Sequence, residues 1–319
     1  MSITEDYGLP TSTLDGNVLP SIRQAVASFY QRCGLKYAEV VLDEALYAEC
    51  CQEAINRGFQ MDGNYPIRPY MAVGVAMSCS SFPHLSDRTT RMWICLFSAV
   101  ITCVDDIPNR GKDIVYLYRF NERFANCQPQ GESVLNALDT LMREVPHHYS
   151  PVVSNLITTS TLDFISSLLI EHDTKDMQIS TTAPLYPEYT RLLSGLASGY
   201  VLFMFPSTVP YQQYIQSMPD LMFTVCAVND ILSFYKEESM GEAANYVSLV
   251  AATRGLTKQD ILREIIEKTM QAHYNTLERL RPHSEAYNAY VSFFDGYVKF
   301  HAALRRYKLE EIMADAREL

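Results

Sequence analysis

Apolar residues recur along this chain at three- and four-residue spacing, and nowhere is two-residue alternation sustained. That periodicity suits a helix with a buried stripe and cannot keep one face of a strand apolar. Helices are expected over about 21–33, 38–58, 68–80, 86–107, 113–126, 132–145 and 150–173, then 184–204, 211–238, 242–253, 257–280 and 283–314. Breaks are expected at Gly58, Pro83, Pro129, Pro146, the DTKDMQISTTAP stretch, Pro206, Pro210, and Gly255 ahead of Thr257 as an N-cap. Residues 1–20, rich in Pro, Gly, Ser and Thr, are expected to be irregular. No repeat period or linker divides the rest, so residues 21–319 are expected to form one all-α domain.

Charge and cysteine usage narrow the function. A net charge of −11 and a pI near 5.1 argue against a nucleic-acid or anionic-membrane surface. The eight cysteines show no CxxC pair and mostly sit in apolar stretches, as buried free thiols do in a reducing compartment. The N-terminal stretch MSITEDYGLPTSTLDG carries acidic residues and no apolar core of a signal peptide. The longest apolar run, Met92 to Val104, spans 13 residues, short of a bilayer's thickness. The expectation is a soluble cytoplasmic protein without stable membrane anchoring, and an anionic ligand would need a local basic cluster or bridging metals.

Polar residues set into apolar helices carry the chemistry. In NDILSFYKE (229–237), Asn229, Ser233 and Glu237 stand four residues apart and lie one above another on a helix. An amide oxygen, a hydroxyl and a carboxylate aimed together suit Mg²⁺, with water and phosphate filling its other positions. A solvated stripe would use the same residue types, but this one emerges from the apolar run LMFTVCAV. Lys236 adjoins it. In CVDDIPNR (103–110), Asp105 and Asp106 end an apolar helix, where carboxylates oppose the macrodipole unless a cation is near. Arg191 is the only charge between Glu188 and Asp220, and its guanidinium cannot discharge, so it needs an anionic partner. Arg305, Arg306 and Tyr307 would fit an ordinary exposed turn. Together, however, Arg191, Lys236 and Arg306 offer three phosphate donors in an acidic chain.

DDxxN, an upstream Arg, NDxxSxxKE and a C-terminal RY pair occur in the order and approximate spacing of class I terpene cyclases. The chain most resembles the fungal trichodiene synthase family from about residue 20 onward, most densely at NDILSFYKE, YPEYTRLLSGL and FFDGYVKFHAALRRYKLEEI. The resemblance implies a single α-helical bundle around an apolar active-site cavity, with three Mg²⁺ ions at its mouth. It implies that Asp105, Asn229, Ser233 and Glu237 bind metal, and that Lys236, Arg306 and Tyr307 contact the diphosphate. Arg191 is similar to the family's diphosphate sensor, and Ser194 and Gly195 fall at its linker and effector positions in a helix break. Asp106 resembles the residue that receives Arg306 on closure. The family's usual third acidic residue is replaced by Asn109. The implied substrate is farnesyl diphosphate, cyclised to a hydrocarbon or alcohol, and a homodimer is compatible. The alternatives are a chain-elongating prenyltransferase, disfavoured by NDILSFYKE in place of a second aspartate-rich motif, and a non-catalytic prenyl-diphosphate binder.

Overall fold

Capping residues and prolines set many of the helix starts in the computed structural model, which describes residues 18–38, 41–63, 65–108, 114–242 and 245–313. The first helices are α1 (Val18–Arg32), α2 (Glu44–Asn56) and α3 (Met71–Ala76), the last running into a wider π-turn at Met77–Ser81. Next come α4 (Arg88–Asp105), α5 (Val115–Tyr118), α6 (Phe120–Ala125), α7 (Ser133–His148) and α8 (Pro151–Thr174). The second half holds α9 (Tyr186–Ser194), α10 (Ala197–Phe203), α11 (Met218–Met240), α12 (Tyr246–Arg254), α13 (Lys258–Leu280), α14 (Ser284–Ala303) and α15 (Leu309–Met313). No strand occurs among the described residues. Asp43, Asp87, Asn245 and Thr257 accept backbone N–H bonds at the starts of α2, α4, α12 and α13, filling donors a helix cannot satisfy itself. Gly241 and Gly255 take left-handed backbone where α11 and α12 end.

Two helices carry the centre. α11 is buried over most of its circumference and packs against α1, α10, α13 and α14, while α4 packs against α2, α3 and α7. The buried apolar side chains of all these helices join in one continuous core. α8 packs on α7, α9 and α10. By length and composition it could cross a membrane, with a mean hydropathy of 1.3, although no uninterrupted apolar run marks it. Its Ser and Thr hydroxyls bond back to the helix's own carbonyls, as at Thr161, Ser167 and Thr174.

Several expected helix limits differ. Pro146 lies inside α7 rather than ending it, because only two residues follow before the helix stops and little of the backbone ladder is disturbed. The helix expected from residue 38 begins at Glu44, set by the Asp43 cap. The one expected over 113–126 is divided at Arg119. Two short 3₁₀ turns, Tyr211–Gln213 and Ile215–Ser217, occupy the start of the segment expected as helix from 211. The final expected helix ends at Ala303, where Leu304 turns extended and Arg305–Tyr307 form a separate 3₁₀ turn.

Candidate active site

The end of α4 supplies the first carboxylates. Asp105 is open to solvent yet ringed by protein. Burial by that ring, then the charges of Asp106 and Glu171, push its carboxyl up to about 7, while Arg306 and Lys236 pull against the shift. Asp106, the α4 C-cap, accepts a 2.7 Å hydrogen bond from the hydroxyl of the fully buried Tyr70. Asn109 and Arg110 lie outside the described residues.

The α11 stripe supplies the second polar group. Ser233 donates to Glu237 Oε1 at 2.6 Å, so two of the three expected oxygen donors meet directly. Burial pushes the Glu237 carboxyl up to about 7, with Asp230 and Glu242 adding to the shift and the Ser233 bond and Lys236 opposing it. Asn229 points elsewhere: its Oδ1 accepts from Arg191 Nη2 at 3.1 Å, and its Nδ2 lies 3.2 Å from His301 Nε2. Lys236 Nζ pairs with Glu242 Oε1 at 2.7 Å.

Arg191, on α9, finds its anionic partner inside the protein. Its Nε donates to Asp230 Oδ1 at 2.8 Å and its Nη2 also to the Cys226 carbonyl at 3.2 Å. Burial works against the guanidinium's charge, but the Asp230 carboxylate outweighs it and keeps the group protonated. The other Asp230 oxygen is buried without a hydrogen-bond partner. One residue after Ser194, α9 breaks at Gly195, at the place expected. The left-handed residue is Leu196, with φ of 45°, whereas Gly195 keeps φ of −74°. Glycine is required for proximity: a Cβ there would stand 2.6 Å from Cys226 Sγ and 3.1 Å from Arg191 Nη1.

The turn after α14 closes the ring. The Tyr307 ring is buried 4.6 Å from that of His301, and Arg306 Cζ lies 5.9 Å from the Tyr307 ring centre. The charges of Arg306 and Lys236 both act on Asp105, and Tyr297 is influenced by Tyr307, Arg191 and Tyr200. One end of the bundle thus gathers Asp105, Asp106, Arg191, Ser194, Gly195, Asn229, Ser233, Lys236, Glu237, Arg306 and Tyr307. Of the aromatic residues, Tyr200 and Tyr297 border this group. The Tyr200 hydroxyl donates to Ser98 on α4 at 3.3 Å. Phe82 and Phe97 each pack edge-on against Phe203 in the core, and the Phe294 ring lies tilted 4.1 Å from that of His273.

Sequence reasoning passed over Tyr70, Glu171, Asp230, Glu242 and His301. Asp230 was open to discovery: it adjoins Asn229, and a lone buried Arg demands a carboxylate. The others come from distant helices and left no local pattern. Among the described residues, no three His, Cys, Asp or Glu side chains cluster closely enough to hold a metal by themselves.

An all-helical bundle whose one end joins carboxylate, amide and hydroxyl oxygens to buried cations is the frame of a class I terpene synthase. The chain belongs to the trichodiene synthase (TRI5) family, whose profile matches residues 68–318. It is 32% identical over 296 residues to alpha-cuprenene synthase COP6 of Coprinopsis cinerea, covering 92% of this chain and 90% of that one. It is 28% identical over 315 residues to Monoterpene synthase 25 of Postia placenta, covering 96% and 91%. In fold it is similar to linalool/nerolidol synthase from Streptomyces clavuligerus, with a TM-score of 0.63, 12% identity, and 83% and 98% of the two chains covered. A second structure of that enzyme is a complex with 2-fluorogeranyl diphosphate. The chain is a terpene synthase.

Proposed function

We propose that the protein is a Mg²⁺-dependent sesquiterpene cyclase that ionises farnesyl diphosphate and cyclises the resulting cation. The observation that carries this is that the charges of Lys236, next to Glu237 on α11, and of Arg306 reach Asp105 on α4, while Arg191 is bonded to Asn229 of the same polar stripe. The donor set fits a hard divalent cation: two carboxyls are pushed up to about 7 by burial and by neighbouring carboxylates, a crowding that a cation would relieve, and a third, Asp230, has an orphaned oxygen. Asp105, Asn229, Ser233 and Glu237 would hold Mg²⁺, which when bound neutralises the diphosphate leaving group.

The chain's own groups do the rest. Arg191, Lys236, Arg306 and Tyr307 bind the diphosphate, so that the allylic C–O bond breaks with its electron pair on the departing oxygen. Arg191 and Lys236 must first leave Asp230 and Glu242. The apolar surroundings exclude water, which would quench the cation, and hold the substrate's own alkenes nearest to it. The faces of Tyr200 and Tyr297 stabilise the cation by about 2 kcal/mol each when desolvated. Arg306 swings to Asp106 as the mouth closes, a gating step.

The name of the Postia placenta relative favours a second reading, in which geranyl diphosphate is the substrate. Incubation with each diphosphate and Mg²⁺, followed by gas chromatography–mass spectrometry, decides. Cyclic sesquiterpenes from farnesyl diphosphate are expected. Preferential turnover of geranyl diphosphate would replace the substrate assignment, longer prenyl diphosphates would indicate an elongating enzyme, and unchanged substrate a binder.

A further inference from the structure

His301, on the last turn of α14, is wholly buried, and both ring nitrogens have partners. Nδ1 lies 2.8 Å from the backbone carbonyl of Tyr297, one helical turn earlier. A carbonyl oxygen can only accept, so Nδ1 carries a proton, and in the neutral ring Nε2 then presents a lone pair. Nε2 stands 3.2 Å from Asn229 Nδ2, so the amide must offer its NH₂ on that side. Its oxygen then falls on the other side, against Arg191 Nη2 at 3.1 Å, a group that can only donate. The two ends of the amide are thus assigned independently and agree. A flipped amide would set NH₂ against guanidinium and oxygen against a lone pair, leaving buried polar groups repelling each other.

We propose that His301 is a positioning residue for the proposed cation site: through its Nδ1–H tautomer, fixed by the Tyr297 carbonyl, it locks the Asn229 amide with its oxygen on the Arg191 side, where it is offered as the ligand atom once Arg191 turns to the diphosphate. The inference rests on the metal–diphosphate reading of that site. It explains why a ring with one donor and one acceptor stands among the rings of Tyr297, Phe300 and Tyr307, where an apolar side chain would leave the Asn229 amide without this partner. His301 does not touch the reacting atoms in this assignment; it acts through Asn229.

The test has two arms. Long-range ¹⁵N–¹H correlation spectra of the full-length protein, with His301 assigned by its absence in His301→Gln, report the tautomer directly. Nδ1–H is expected, and an Nε2–H tautomer or a charged ring overturns the proposal. The second arm is calorimetric titration of inorganic pyrophosphate at fixed Mg²⁺ across a double-mutant cycle of His301→Phe and Asn229→Asp. A carboxylate has two equivalent oxygens and needs no orientation. His301→Phe should therefore weaken binding about tenfold beside Asn229 and by less than about twofold beside Asp at that position. His301→Gln, whose carbonyl can accept from the amide, should recover much of the loss; should His301→Phe not fold, His301→Gln against His301→Leu carries the comparison. Equal losses in both backgrounds overturn the proposal. Pyrophosphate that fails to bind the unsubstituted protein with Mg²⁺ overturns the site reading and this proposal together, whereas binding with the wrong tautomer overturns this proposal alone.

Discussion

Glu237 and Asp106 illustrate what single side chains contribute. Glu237 ends the polar stripe, already bonded to Ser233 and costly to ionise in place. Replacing it, or Asn229, by Ala removes an oxygen donor without opening the apolar core. Each change should lower turnover by about 100-fold or more while the circular dichroism stays helical; near-normal rates at low Mg²⁺ would count against the site. Asp106 is held by Tyr70 in this structure, so Arg306 must compete with that hydroxyl to reach it. A double-mutant cycle of Asp106→Asn and Arg306→Lys should give non-additive losses in turnover and more water-quenched alcohol. Additive losses with an unchanged hydrocarbon-to-alcohol ratio would remove the closing contact. Asn109, which lies outside the described residues, is expected as Ala to alter Mg²⁺ dependence far less than Asp105→Ala, since a neutral amide is the poorer ligand.

At the scale of elements, the break between α9 and α10 matters most, because it sets the Arg191 guanidinium against α11. Gly195→Ala would force Cβ toward Cys226 Sγ at 2.6 Å and the Arg191 carbonyl at 3.0 Å. Overpacking of this kind costs about 1–3 kcal/mol, seen as a lower melting temperature. Adding Cys226→Ala should restore much of the stability but little of the turnover, since the Arg191 contacts remain crowded; full recovery of both would confine the glycine's role to packing. The stripe and the aspartate pair were legible in the sequence because each is local: four-residue spacing and two acids ending an apolar run. The break was not, since residues 184–204 read as one helix and only the family resemblance put an interruption at Ser194 and Gly195. That Leu196, not Gly195, takes the left-handed backbone was not legible, since the glycine answers to a neighbouring helix. Nor was Pro146 inside α7, where position in the last turn outweighs proline's usual cost. Asn229 facing Arg191 and His301 rather than Ser233 depends on α9 and α14, which no spacing within α11 reveals.

Across the whole molecule, cation binding and protonation should be linked. Asp105 and Glu237 are both pushed up to about 7, so near neutrality each carries a proton about half the time. A divalent cation favours their ionised forms, so its binding with pyrophosphate at about pH 7 should release protons, up to about one from the pair. Titrations in buffers of different ionisation enthalpy measure this. Release attributable to the pair should shrink in Glu237→Gln and vanish by about pH 9, where both groups are already ionised; an identical buffer dependence in the wild type and Glu237→Gln would contradict it. The ion pairs of Arg191 with Asp230 and Lys236 with Glu242 carry a further consequence. An incoming anion does not find these two cations waiting but must trade places with a carboxylate already seated. Recognition by exchange discounts weak competitors: a singly charged anion gains little over the carboxylate it evicts, while a diphosphate accompanied by metal ions gains several contacts at once. If Arg191 and Lys236 bind the diphosphate as proposed, the mouth would act as a threshold, passing over ordinary cellular anions and responding to the cargo that can overturn both pairings together.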